Sequence, residues 1–115
     1  MDLEFYKYQG TGNDFIMIDN RSKTFPKNKT DIIAKLCDRH FGIGADGLIL
    51  LEEDNTTDFK MVYYNSDGNE STMCGNGGRC IVAFAHKLGL FETETTFIAI
   101  DGLHHASISN NLVSL

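Results

Sequence analysis

The chain predicts an α+β fold: a mixed, largely antiparallel sheet with two helices. Three observations carry this. Short apolar or aromatic runs recur roughly seven or eight times, most of them separated by a few polar residues, which favours antiparallel neighbours. Two stretches, 31–40 and 76–88, space apolar residues at helical period. The 115 residues are 42% hydrophobic and 23% charged, a globular balance that supports a packed core and excludes disorder.

The elements follow in order. Leu3 to Tyr8 reads as an aromatic strand, 9–14 as a turn with two glycines, and Phe15-Ile16-Met17-Ile18 as a buried strand completing a hairpin. Arg21 to Lys29 is a connecting loop with the single proline, Pro26. Thr30 is expected to cap a helix from Asp31 to about His40, its apolar face made by Ile32, Ile33 and Leu36, with Gly42 and Gly44 ending it. Leu48 to Leu51 is a strand, Glu52 to Asp58 an acidic turn, and Phe59 to Tyr64 a returning strand. A second helix begins within the glycine-rich segment 65–78 and runs through Ile81, Val82, Phe84, Ala85 and Leu88 to a stop at Gly89. Thr95 to Ile100, His104 to Ser109 and Leu112 to Leu115 are short strands, with Asp101-Gly102 and Asn110-Asn111 at the turns. The chain stops inside an apolar segment, which predicts a cut at a domain boundary of a longer protein.

Charge and termini narrow the function. Sixteen acidic residues against ten basic give a net charge of −6, a poor basis for general nucleic-acid or anionic-membrane binding. No apolar run reaches the roughly 20 residues of a membrane span. Met1-Asp2-Leu3-Glu4 lacks a signal-peptide pattern, so the cytoplasm is expected. Three cysteines, an odd number, argue for free thiols rather than a disulfide framework.

Cys74 is the most informative residue. It stands at the expected start of the second helix, where unpaired N–H groups and the helix dipole favour a thiolate. A shift of about one pKa unit from 8.5 would raise the thiolate fraction at pH 7 from about 3% to about 24%. Gly75, Gly77 and Gly78 let backbone approach an anion closely. The residues leave a second reading open, a small buried hydrophobe at a tight turn. Cys37 and Cys80 fall on helix faces expected to pack into the core. A metal site is not expected: the five residues between Cys74 and Cys80 lack structural-zinc spacing, and His104 and His105 face opposite sides of a strand. His40 and His86 read as ordinary helix residues. The run 42–47 matches G-x-G-x-x-G but follows a helix and precedes a strand, the reverse of a dinucleotide site.

Three segments carry a family resemblance: Gly10-Thr11-Gly12-Asn13-Asp14-Phe15; Arg39-His40-Phe41-Gly42-Ile43-Gly44-Ala45-Asp46-Gly47; and Asn65-Ser66-Asp67-Gly68 followed by Cys74-Gly75-Asn76-Gly77-Gly78-Arg79. In this order they resemble the N-terminal half of diaminopimelate epimerase, over the length of the chain. The resemblance implies a mixed sheet wrapped around a central helix, here the one from about Asn76. It implies cofactor-independent inversion of LL- to meso-diaminopimelate by two cysteines on opposite faces of the α-carbon, because a single base returns the proton to the side it came from. Cys74 matches the first catalytic cysteine. Asn13 and Asn65 match asparagines on the substrate's distal end, and Gly75 and Asn76 match the substrate-contacting pair beside the cysteine. Taken alone, Asn13 reads as a turn residue and Asn65 as a strand-end cap.

The resemblance places the second cysteine, with further substrate-binding residues, in a C-terminal half absent from this chain; neither Cys37 nor Cys80 matches it. Gly47 stands where some members carry glutamine, and Asn69 where many carry serine. The expected partners are diaminopimelate and the C-terminal half of the same protein, with no cofactor. The rival readings are a racemase or isomerase of another small acid on the same fold, and a non-catalytic half-domain that pairs with itself as a homodimer.

Overall fold

The computed structural model describes residues 3–10, 12–27, 29–72 and 75–115. Among them are seven strands and two helices. These are β1 (Tyr6–Gln9), β2 (Asp14–Asp19), α1 (Thr30–Cys37), β3 (Gly47–Glu52), β4 (Phe59–Asn65), α2 (Gly75–Lys87), β5 (Glu94–Ala99), β6 (Gly102–Ser109) and β7 (Leu112–Ser114). The strands form one sheet in sequence order. β2–β3 and β4–β5 are parallel, because a helix crosses over between each pair; the other neighbours are antiparallel. The mixed, largely antiparallel α+β sheet is therefore as expected.

Alternation along the central strands builds two cores. Phe15, Met17, Ile49, Leu51, Phe59 and Met61 face α2, which contributes Ile81, Phe84 and Ala85. Ile16, Ile18, Leu48, Leu50, Val62 and Tyr64 face the other way, with Ile33 and Cys37 of α1. β2 and β3 are thus apolar on both faces and read as continuous hydrophobic runs, while β4 is interrupted by the exposed Lys60. The sheet curls around α2: Tyr6 and Tyr8 of β1 set their rings 5.3 and 5.7 Å from Phe84, while Val113 of β7, at the opposite edge, joins the same core. α2 is the central helix.

Several boundaries differ from expectation for identifiable reasons. α1 ends at Cys37 rather than near His40, so His40 lies beyond the helix. Asp38 turns extended, and its carboxylate accepts the N–H groups of His40 and Phe41. The returning loop then satisfies the helix's last carbonyls: Ile43 and Gly44 donate to Leu36, and Ala45 donates to Cys37. Gly42 passes so close that a Cβ would stand 1.9 Å from the Lys35 carbonyl oxygen. Thr30 is the first helical residue and not the cap; Lys29 holds that place without a side-chain bond. Glu52 belongs to β3 rather than to the acidic turn. It is buried, accepting from Asn20 Nδ2 at 2.7 Å and Lys27 Nζ at 3.0 Å.

Other local signals agree with the structure. Gly89, at φ +80°, closes α2 with Gly89 N–H donating to His86 and Leu90 N–H to Ala85. Asn110 and Asn111 both take positive φ in the two-residue β6–β7 turn. The β5–β6 turn, by contrast, falls one residue earlier than expected, at Ile100–Asp101, because Gly102 is already paired to Ala99. Among the described residues, no helix is long and apolar enough to cross a membrane.

Candidate active site

The strand ends place the candidate residues. Phe15 of β2, Gly47 of β3 and Asn65 of β4 lie side by side in register. The loop carrying Asn13 precedes β2 at this end of the sheet. The chain also leaves β4 here, through a turn in which Gly68 N–H donates to the Asn65 carbonyl, and returns as α2. Met73 and Cys74 lie outside the described residues; Gly75, the next residue in the chain, opens α2.

Asn13 and Asn76 meet. Asn76 Nδ2 donates to Asn13 Oδ1 at 2.8 Å, joining residues 63 apart in sequence. The loop and helix touch closely: a Cβ at Gly10 would stand 2.9 Å from Asn76 Cβ. Asn65 shares this end of the sheet, exposed, two strands from β2, or roughly 10 Å at ordinary strand spacing. Gly75 is exposed in the first turn of α2. At Gly47 a Cβ would stand 2.8 Å from the Tyr64 carbonyl oxygen and 3.3 Å from the Tyr63 hydroxyl, so no side chain fits there without movement.

An ion-pair network braces Asn13. Asp14 and Asp46 hold each other through the main chain: Asp14 N–H donates to Asp46 Oδ2, and Asp46 N–H to the Asp14 carbonyl. Arg39 bridges both carboxylates, at 2.9 Å to Asp14 and 3.1 Å to Asp46. Lys7 pairs with Asp14 at 3.0 Å and donates to the Gly44 carbonyl. Hydrogen bonding from Arg39, reinforced by Lys7, holds the Asp14 carboxyl well below the usual carboxylate range. Asn13 Nδ2 in turn donates to Asp46 Oδ2 at 3.3 Å. At the other side, Arg79 Nη2 donates to Asn76 Oδ1 at 2.6 Å.

Asp14, Arg39, Asp46 and Arg79 stand within the family motifs, and the sequence alone assigns them no role. Arg79 was within reach of a local argument, since residues three apart on a helix are neighbours. The Asp14–Arg39–Asp46 cluster was not, because Asp14 opens β2 while Arg39 and Asp46 lie near opposite ends of the loop between α1 and β3.

The other thiols are core residues, as expected. Cys37 is buried, and burial pushes its thiol up to about 11, with Lys7 and Arg39 pulling weakly the other way. Cys80 is also buried. A cleft of about 530 Å³, lined by Asp58, Thr95, His105 and Ser114 among others, and one of about 460 Å³ beside Lys27 and Glu52 are lined by none of Asn13, Asn65 and Asn76.

The curled sheet closed on one helix defines the fold class. A methylitaconate-delta-isomerase structure superposes with a TM-score of 0.73 at 12% identity, over 98% of this chain and 62% of that one. A Bacillus anthracis phenazine biosynthesis protein of the PhzF family gives 0.68 at 18% identity, over 96% and 37%. These likenesses show the fold. The sequence is more specific, because the family model described as diaminopimelate epimerase matches residues 5–110. A diaminopimelate epimerase of Flavobacterium psychrophilum is 74% identical over 98% of this chain and 44% of its own length. Diaminopimelate epimerase 1 of a Nostoc species is 52% identical over 84% of this chain and 36% of its own length. The chain belongs to the diaminopimelate epimerase family, and it spans less than half the length of these relatives.

Proposed function

We propose that this chain is the N-terminal half of a cofactor-independent epimerase that interconverts LL- and meso-diaminopimelate in the cytoplasm, within lysine biosynthesis. The bond between Asn76 and Asn13 carries the reading. It joins two of the three family segments at the first turn of α2, directly after Cys74 in the chain.

In this reading Cys74 and a second cysteine from the C-terminal half face opposite sides of the substrate α-carbon. One, as thiolate, takes the α-proton and becomes a thiol. The other, as thiol, delivers its proton to the opposite face and becomes the thiolate, which inverts the centre. The backbone N–H groups and dipole at the start of α2 favour the anionic partners, thiolate and carboxylate. Gly75 and Asn76 contact the reacting end, and Asn13 and Asn65 bind the distal end. With its second acid/base group elsewhere, the 115-residue chain alone is inactive.

The test is proton NMR of LL-diaminopimelate in deuterium oxide, with Cys74→Ala as control. The chain alone is expected to form no meso product. Added C-terminal half is expected to restore meso formation, dependent on Cys74. Meso product from the chain alone would replace the half-site reading with a self-paired homodimer. Failure of the reconstituted protein on diaminopimelate, with turnover of another small acid, would keep the fold and overturn the substrate.

A further inference from the structure

The polar cluster at the start of α2 has a direction. Arg79 donates to Asn76 Oδ1, Asn76 Nδ2 donates to Asn13 Oδ1, and Asn13 Nδ2 donates to Asp46 Oδ2. Arg39 holds the other Asp46 oxygen at 3.1 Å. Both amides accept at oxygen and donate at nitrogen in the same sense. One end of the chain is a guanidinium, which can only donate; the other is a carboxylate, which when ionised can only accept. An asparagine amide has two nearly isosteric orientations. Reversing Asn76 would set its NH₂ against the guanidinium and its oxygen against the oxygen of Asn13. Reversing Asn13 would set oxygen against the Asp46 carboxylate. The charged ends therefore select one orientation for both amides.

The place of Arg79 supports this. Its guanidinium lies back over the helix start, with Nη1 3.5 Å and Nη2 3.6 Å from where a Gly75 Cβ would stand. A cation there opposes the helix dipole, and the first turn of α2 holds no acidic residue to offset it. Arg79 is exposed. Among the described residues, the short charge-assisted bond to Asn76 offsets the unfavourable placement.

We infer that Arg79 is a positioning residue: it sets the Asn76 amide, and through it the Asn13 amide, in the orientation that meets substrate. The inference rests on the reading of Asn13 and Asn76 as substrate contacts.

The test uses the protein in its full natural length with Arg79→Met and Arg79→Lys, and two readouts. The first is the side-chain amide resonances of asparagine in ¹⁵N-labelled protein. Arg79→Met is expected to move the signals of Asn13, two hydrogen bonds away, as well as those of Asn76, and Arg79→Lys to return them part of the way. The second is steady-state epimerisation of diaminopimelate. Arg79→Met is expected to raise KM about tenfold while kcat changes less than about threefold, with partial recovery in Arg79→Lys. Unmoved Asn13 signals overturn the relay, and an unchanged KM overturns its part in substrate binding. If the unsubstituted protein does not epimerise diaminopimelate, the functional reading fails separately. The amide signals then decide the positioning role alone: moved, they sustain it; unmoved, they overturn it.

Discussion

Replacing Gly10 with alanine probes the contact that brings the β1–β2 loop to α2. The added Cβ would stand 2.9 Å from Asn76 Cβ and 3.3 Å from its Cγ. Carbon atoms settle at about 3.5–4.0 Å, so the loop and helix must separate by roughly 0.6–1 Å. Asn76 Cβ is anchored one bond from the helix backbone and cannot swing aside as a side-chain tip would. Opening the gap carries the 2.8 Å bond between Asn76 and Asn13 beyond hydrogen-bond range. Losing it costs about 1 kcal/mol net, and the strain of overpacking adds about 1–2 kcal/mol. Against this, Gly10 is not among the positive-φ glycines, so alanine fits its backbone and restricts the unfolded chain, a gain of about 0.4–1 kcal/mol. The balance is a loss of about 1–2.5 kcal/mol. Urea unfolding followed by circular dichroism reads this as a midpoint lowered by about 1 M, given a slope between about 1 and 2 kcal/mol/M for a chain of this size. Gly12→Ala is the contrast. Among the described residues other than its chain neighbours, its Cβ would meet no atom within 4 Å, but it sits at φ +82°, so it loses stability through backbone strain while moving the Asn76 amide signals less than Gly10→Ala does. An unchanged midpoint for Gly10→Ala, with those same signals unmoved, would refute the reasoning.

Three further outcomes follow from the geometry. Phe84→Ala empties the centre of the core that α2 shares with Tyr6 and Tyr8, and calorimetry or urea titration should show a loss of about 3–5 kcal/mol; a loss below about 1 kcal/mol would contradict the central placement of α2. Asp14 has its folded pKa below the unfolded value near 3.9, so its contribution is present above about pH 4 and is lost as pH falls through the folded value. Asp14→Asn should therefore cost about 1 kcal/mol at pH 7, with the gap to the parent narrowing below pH 4; a gap constant with pH would count against the ion-pair network. Finally, iodoacetamide at pH 7.5 should spare Cys37, which is buried with its thiol pushed up to about 11, and should label Cys74 first; rapid native-state labelling of Cys37 would show that the α1 side of the sheet is open.

Much of the candidate site was legible through motifs, and less of its wiring. Asn13, Asn65, Gly75 and Asn76 are marked by the family motifs in which they stand; taken alone, Asn13 reads as a turn residue and Asn65 as a strand-end cap. Their convergence follows from the parallel crossover between β4 and β5 and from the β2–β3–β4 register. Neither is encoded in local spacing. Arg39 illustrates the limit: its neighbours Asp14 and Asp46 are 25 and 7 residues away, on the other side of a helix and a loop. Nothing in the local pattern distinguishes it from a solvated arginine.

What this sequence determined by itself was the kind of each element and where most of them turn. Alternation, helical period, Gly89 and Asn110-Asn111 act between residues at most a few positions apart, and such signals survive into any fold the chain adopts. The path of the chain beyond Asp38 helped decide where α1 stops, because the carbonyls that would have continued it are taken by a loop returning from Gly42 to Ala45. Tertiary structure alone decided that Glu52 is buried, since its partner Asn20 lies 32 residues away. It also decided the direction of the Arg79–Asn76–Asn13–Asp46 chain, because an amide's orientation depends on which charged group packing places at each end.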